Sequence, residues 1–435
     1  MLSHFLLPRL SPNLYKYIDT DVSASAVLPT PVVNESLAFY LHDIKQQIHM
    51  HETLWETYKK YTNTYEYIHS TIPNKKYCIS RYRPLSRSFF KMIELIHFFE
   101  LGTESHAPMK TFHLAEGPGG FIEAMVYYRS RPDDTYYGMT LLDKNNNDYN
   151  IPAWKKSQHF LQENKNVVIE SGVDKTGNIL SLDNFMYVNT LYGSSMDLIT
   201  ADGGFDFSSD FNNQEVNMTK LLYGQMSYAL CMQKKGGCFV LKVFDVFMQY
   251  TIDIVALLSS MYERVYITKP NTSRTANSEK YVVCKGFLPA SSYQYYPYLY
   301  KYFRKMLTIK DQGPEYISRI FHPQVPINHY FMNRIEECNI VMGQIQIENI
   351  YLTLSFIRPD GAWGGTKGEG DDPTYLQGRT EITVRFSGSG RNYVPCSSGG
   401  DGRKPEDRNK LQGLIKSNIQ KCIQWCIQHN LVYNY

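Results

Sequence analysis

The chain has 435 residues, of which 43% are hydrophobic and 20% charged, and its formal net charge is +3. That balance belongs to a globular chain long enough for one extended domain or two. A charge so close to neutral excludes nucleic-acid capture by a global field, so any such partner needs a local basic cleft. No run of eighteen or more apolar residues is present, which predicts no transmembrane helix. The opening MLSHFLLPRLSPN lacks the basic region and cleavage pattern of a signal peptide. The eight cysteines show no metal spacing, and Cys422 and Cys426, four apart, read as helix packing. Reduced thiols in a cytoplasmic or nuclear compartment are the expectation.

Residues 1–32 carry several prolines without a period and are read as an irregular arm. From Val33 to Tyr67 the apolar spacing (Leu37, Tyr40, Leu41, Ile44, Ile48) predicts helix. Residues 73–87, PNKKYCISRYRPLSR, alternate Lys75, Lys76, Arg81, Arg83 and Arg87 with Tyr77 and Tyr82. Such a mixture suits phosphate contacts with base stacking, and suits a solvated loop equally well. Ser86–Leu101 is a strongly apolar helix on which Lys91 and Glu94 form one narrow polar stripe.

Thr111–Arg131 reads as a short strand, then Glu116, a Gly-Pro-Gly-Gly turn, and a helix from about Phe121. Glycines there let a ligand approach the backbone, and the free N–H groups of the helix start face the same space. Strands follow at Tyr136–Leu142, Asn166–Glu170, Met196–Asp202, Gly237–Phe244, Arg264–Lys269 and Lys280–Lys285, with helices near 152–163, 212–234 and 247–262. The alternation predicts an α/β, Rossmann-like architecture: a mostly parallel sheet with helices on both faces. The last two strands are too close for a crossover helix, so one of them should be antiparallel. Beyond Phe287 come a tyrosine-rich stretch, a segment of mixed character (307–342), a Gly-rich loop system (358–404) with one strand at Glu381–Phe386, and helical spacing from Asn409 to Tyr435. The expected units are 1–80 (arm and helix), 81–290 (the α/β core) and 291–435 (extension).

Ligands of open α/β sheets bind outside the carboxyl ends of the strands. There the sequence places Glu116 with the glycine turn, Asp143, Asp174, Asp202 and Lys242, with Ser273, Arg274, Asn277 and Glu279 before the last strand. Lys242 lies in the apolar run FVLKVF, so it needs charged partners, and Asp202 and Glu279 are available.

These residues resemble a family. Ser86–Ile93, GPGG, Asp202, Lys242 and Ser273-Arg274…Ser278-Glu279-x-Tyr281 are similar to the FtsJ-like (RrmJ-type) ribose 2′-O-methyltransferases. GPGGFIEAMVYYR, YYGMTL, TADGGFDF, GGCFVLKVFDVF and ERVYITKPNTSRTANSEKYVVCKGF narrow the resemblance to the cap-specific mRNA nucleoside-2′-O-methyltransferases of eukaryotes and large DNA viruses. It spans about 81–287 and implies a seven-stranded sheet, S-adenosylmethionine as cofactor and capped mRNA as substrate. It implies a tetrad of Lys91, Asp202, Lys242 and Glu279. Glu116, Gly117, Pro118, Gly119, Gly120 and Phe121 would line the cofactor site with Asp143 and Asp174, although Ala or Gly is more usual at position 116. Arg83, Asn212, Ser273, Arg274 and Asn277 would hold RNA. A protein partner from the capping machinery is left open, and the tyrosine- and asparagine-rich composition fits an AT-rich viral genome.

The implied reaction is methylation of the ribose 2′-OH of the first transcribed nucleotide. Lys242 would orient that hydroxyl and accept its proton, for which it must be at least partly neutral. Trp55, Tyr77 and Tyr82 are candidates to stack on the cap base. Methylation of ribosomal or transfer RNA and a non-catalytic RNA-binding subunit are the alternatives. A nicotinamide oxidoreductase is disfavoured by the missing G-x-G-x-x-G.

Overall fold

The computed structural model describes residues 3–22, 24–103, 107–143, 151, 153–204, 212–310, 315–357 and 405–434. Its strands are β1 (Ser3–Leu7), β2 (Ala24–Ser25), β3 (Lys110–Leu114), β4 (Thr135–Met139), β5 (Val167–Glu170), β6 (Met196–Ala201), β7 (Gln233–Val243), β8 (Tyr262–Lys269), β9 (Lys280–Phe287) and β10 (Tyr316–Ile317). Its helices are α1 (Glu35–His49), α2 (Glu52–Thr62), α3 (Ser88–Phe99), α4 (Gly120–Arg129), α5 (Gln158–Glu163), α6 (Leu182–Tyr192), α7 (Gln214–Asn217), α8 (Thr219–Met232), α9 (Gln249–Met261), α10 (Tyr296–Met306), α11 (His329–Ile357) and α12 (Pro405–Gln428).

Eight strands form one sheet in the order β1-β8-β9-β7-β6-β3-β4-β5. The block β7-β6-β3-β4-β5 is parallel. β9 runs antiparallel to both its neighbours, β7 and β8, as the short β8–β9 connection requires. The eighth strand comes from the arm. Residues 3–7, read from sequence as irregular, pair antiparallel with β8 along Ser3–Lys269 to Leu7–Val265. Phe5 and Leu7 face the core while Leu6 is exposed, a period-two pattern too short to stand out among the prolines that follow.

Other departures from the sequence reading are local. The stretch 33–67 breaks at Met50–His51 into α1 and α2 and ends in a short 3-10 turn, Glu66–Ile68. Helix α6, absent from the sequence reading, packs Phe185 and Val188 into the core. The mixed segment after 307 contains the 29-residue α11. Alone among the described helices, α11 has the length and hydropathy to cross a membrane, with mean hydropathy 1.2 over its most apolar window. It buries Phe331, Ile335, Met342, Ile350 and Leu354 on one face while packing on α1, α2 and β1, as an amphipathic helix of a globular domain does. The strand expected at Glu381–Phe386 lies outside the described residues.

Two large apolar clusters flank the sheet, one built on α8 and α9 and one on α3 and α4. Cys422 and Cys426 pack in the second as free thiols. Strand order reverses between β3 and β6, and β3 then continues outward through β4 and β5. A crevice opens at such a switch point, beyond the carboxyl ends of the strands.

Candidate active site

Sheet register assembles the polar residues at that crevice. Leu114 pairs with Ala201 across β3–β6, so Glu116 and Asp202 emerge side by side. Ala201 pairs with Leu241, which puts Asp202 beside Lys242, and Lys242 pairs with Tyr281. Lys242 Nζ lies 2.7 Å from the Asp202 carbonyl oxygen and 3.3 Å from its Oδ1. Tyr281 donates its hydroxyl to the same Oδ1 at 2.8 Å. The second pair comes from further apart: Lys91 on α3 reaches Glu279, just before β9, at 2.7 and 2.8 Å to the two carboxylate oxygens.

Ser273 Oγ adds a hydrogen bond to Glu279 Oε1 at 2.6 Å. Burial alone would raise the Glu279 carboxyl, but Lys91, Lys242 and Ser273 hold it well below the usual carboxylate range. Two cations and two carboxylates thus offset one another in a largely dehydrated cleft, which is how buried charges are tolerated.

The glycine turn lies next to this set. Gly119 has φ +105°, and a Cβ at Gly117 would come within 2.5 Å of the Ala153 carbonyl oxygen. Both positions therefore favour glycine. Glu116 accepts the Phe121 N–H at 2.5 Å through Oε1, so it caps the start of α4. Its Oε2 is buried without a partner. Burial, reinforced by Asp202 alongside, pushes the Glu116 carboxyl well above its ordinary value. An unpartnered buried acceptor beside a helix start is a place for a polar or cationic group, so these residues fit the amino-acid end of S-adenosylmethionine.

The remaining expected residues fall as follows. Asp143, after β4, is half-buried and lies 3.4 Å from Lys155 Nζ. Asp174 is exposed and accepts from Thr176 N, Thr176 Oγ1 and Asn184 Nδ2 at 2.7–2.9 Å, shaping its own turn. Pro118 accepts through its carbonyl from Ser157 Oγ. Asn277 accepts from Lys269 Nζ through its carbonyl and its side chain at 2.6 and 2.8 Å. Arg274 makes a two-pronged contact with Glu66 at 2.9 and 3.1 Å. Arg83 is exposed beside Cys78, and Asn212 is half-buried just before α7.

Sequence reasoning assigned no role to Glu66, Glu94 or Gln225. Glu66 is fully buried and, besides Arg274, takes hydrogen bonds from Asn63 and Ser70 at 2.7 and 2.8 Å. Gln225 receives the Gly203 N–H at 3.0 Å and so steadies the turn after Asp202. A buried acid or amide inside an apolar stretch was the available signal, and Glu94 in α3 shows it most plainly.

A pocket of about 220 Å³ opens between α1, α2, α11 and the β8–β9 connection, and it reaches Ser278, next in the chain to Glu279. Its wall includes Trp55, Phe244, Lys45, Lys59, Arg274 and Asn277. Phe244 also lies under Lys242 Nζ, with the ring centroid 5.8 Å away. Three cations, two aromatic rings and several side-chain amides share the lining, which suits an anionic group joined to a flat base.

Part of the chain is similar to known proteins. Residues 84–287 match the FtsJ-like methyltransferase family. The cap-specific mRNA (nucleoside-2′-O-)-methyltransferase 1 of Leishmania braziliensis is 32% identical over 245 residues, which is 55% of this chain and 58% of that protein. The corresponding enzyme 1A of Caenorhabditis briggsae is 29% identical over 255 residues, 58% of this chain and 29% of that protein. Its namesake 1B, described as inactive, is 27% identical over 259 residues, 58% of this chain and 30% of that protein. The chain thus spans less than two thirds of the length of each of these relatives. Residues 84–287, which carry the glycine turn, the switch point and both lysine–carboxylate pairs, are thus similar to the FtsJ-like methyltransferases.

Proposed function

We propose that this protein transfers a methyl group from S-adenosylmethionine to the ribose 2′-OH of the first transcribed nucleotide of capped mRNA, converting cap-0 to cap-1. The observation that carries the reading is the meeting of Lys242–Asp202 and Lys91–Glu279 at one mouth of the sheet, beside the glycine turn. Relatives of similar identity bear both active and inactive names, so overall likeness does not separate the two. The paired lysines and carboxylates favour an active site.

When bound, S-adenosylmethionine supplies an activated methyl group, and the poor partner is the ribose hydroxyl, whose proton must leave as the bond forms. Gly117, Gly119 and Gly120 would admit the cofactor, Glu116 would face its cationic end, and Asp143 would face its nucleoside. Lys242 orients the hydroxyl and, in its neutral amine form, after giving up the ammonium proton of its ion pair with Asp202, accepts the hydroxyl proton. Asp202, itself held by Tyr281, fixes the direction of the Lys242 amine. Lys91 and Glu279 offset each other's charge close by. General-base assistance of this kind is worth about 10²–10⁴ in rate, and correct placement of the hydroxyl adds to it.

The pocket at Trp55 and Phe244 supports a capped target over ribosomal or transfer RNA. Its Phe244 ring lies under the reacting lysine, and Lys45, Lys59 and Arg274 suit the phosphate bridge of a cap. The test is methyl transfer to one short RNA in capped and uncapped forms, with the methylated nucleotide located by mass. Transfer confined to the capped form at its first nucleotide is expected. Equal transfer to both would point to another RNA, and cofactor binding without transfer to any RNA would make the chain a binding subunit.

A further inference from the structure

Glu94 lies on α3 one turn beyond Lys91, and the residue is 2% exposed. No ion pair holds it among the described residues. Its partners are three N–H groups: Asn271 N to Oε2 at 2.7 Å, Thr272 N to Oε1 at 2.8 Å, and the indole Nε1 of Trp425 to Oε1 at 2.8 Å. The first two belong to the connection that carries Ser273 and Glu279. The Thr272 carbonyl in turn accepts from Arg87 Nη2 at 2.9 Å.

These contacts close a ring. It runs from Lys91 to Glu279, to Ser273, to the backbone of Thr272, to Glu94, and so back to α3. Trp425 enters the ring from α12, some 331 residues along the chain from Glu94. Its ring also meets Phe90 edge-on, with centroids 5.7 Å apart. Helix α12 is tied down elsewhere as well, by Asn418 Nδ2 to the Tyr61 carbonyl at 2.8 Å, and the chain just after it is held by the N–H of Asn434 to the Ile79 carbonyl at 2.7 Å.

A buried carboxylate without a cation keeps its geometry only while its N–H donors remain. Loss of the indole N–H leaves Oε1 under-satisfied and frees the Glu94 side chain to shift. The backbone at 271–272 then loses its anchor, and Glu279 loses the fixed position of Ser273.

We propose that α12, which lies outside residues 84–287, is a positioning element of the active site, acting through Trp425 and Glu94 on the turn that carries Ser273 and Glu279. The inference rests on reading Glu279 as a member of the reacting set. Trp425 and Glu94 touch no substrate on this account; they act through the turn.

The experiment uses the full chain with Trp425→Phe, which keeps an aromatic ring and removes the donor, and Glu94→Gln, which places an amide against the backbone N–H groups. Amide hydrogen exchange at Asn271 and Thr272 reads the clamp without reference to activity. Initial rates on a capped oligonucleotide, cofactor affinity and melting temperature read its consequence. Both variants should exchange these two amides faster than wild type. Turnover should fall about tenfold or more in Glu94→Gln and less in Trp425→Phe, with cofactor affinity within about twofold of wild type. Unchanged exchange at Asn271 and Thr272 would overturn the proposal. So would unchanged turnover, or loss of turnover and cofactor affinity together in step with melting temperature, which would mark Trp425 as core filling only. If wild type methylates neither capped nor uncapped RNA, the functional reading fails, and the exchange rates still decide whether the clamp exists.

Discussion

Tyr281 and Asp202 come from antiparallel and parallel parts of the sheet, yet the tyrosine hydroxyl donates to the Asp202 carboxylate at 2.8 Å. Lys242 Nζ stands 3.3 Å from the same oxygen. The fully buried tyrosine therefore shares with the lysine the task of orienting Asp202. Tyr281→Phe keeps the ring and removes the bond, which should destabilise the protein by about 1 kcal/mol. It should also slow methyl transfer by about tenfold. Initial rates and denaturant unfolding measure the two, and a wild-type rate would separate Tyr281 from the reacting set.

Lys242→Ala should abolish detectable transfer, a fall of about 10²–10⁴ or more, with cofactor affinity nearly intact. The side chain makes its hydrogen bond and ion pair to Asp202. Equilibrium binding of cofactor beside single-turnover rates makes the comparison. Parallel loss of both would place Lys242 in cofactor binding instead.

Gly119→Ala puts a side chain at φ +105°, where L residues are strained by about 1–3 kcal/mol, and aims it at the Trp154 ring. The expected result is weaker cofactor binding together with a lower melting temperature. If the variant binds cofactor as wild type does, the turn is not the cofactor site.

Arg274→Lys keeps the charge but gives up the two-pronged contact with Glu66. Because Arg274 lines the pocket at Trp55 and Phe244, KM for capped RNA should rise about tenfold while cofactor affinity holds. The salt dependence of RNA binding should stay close to wild type, since the number of cations is unchanged. An unchanged KM would move RNA recognition away from this wall.

The pH dependence of stability should carry the mark of Glu215. Burial, with Asp245 nearby, raises its carboxyl to about 7 from 4.5, despite the Phe247 and Met248 N–H groups that donate to it. In the window between those two values the folded state keeps a proton that the unfolded chain has released. The stabilisation from this group is thus complete below the unfolded value and is lost as pH rises towards the folded one. Glu215→Gln should flatten that fall by up to about 3 kcal/mol. Urea unfolding of both proteins at the two ends of the window measures it, and identical slopes would show that Glu215 does not titrate there.

Much of this protein was readable residue by residue. Alternating apolar runs announce β3 to β9, and the Gly-Pro-Gly-Gly run announces a tight strand-to-helix turn, because each signal is short-range and complete within about twenty residues. The short β8–β9 connection likewise dictated an antiparallel neighbour. Strand β1 was not legible, because five residues carry too little pattern until β8 pairs with them. Helix α6 was likewise visible only once its Phe185 found a core to enter. Chain order alone said that lysines and carboxylates would be present at 91, 202, 242 and 279. Sheet register and the docking of α3 determined which lysine meets which carboxylate, since each pairing spans many residues and has no local trace. The same holds for Trp425 and Glu94: an indole and an acid far apart in the chain become partners only when two helices close over one buried charge.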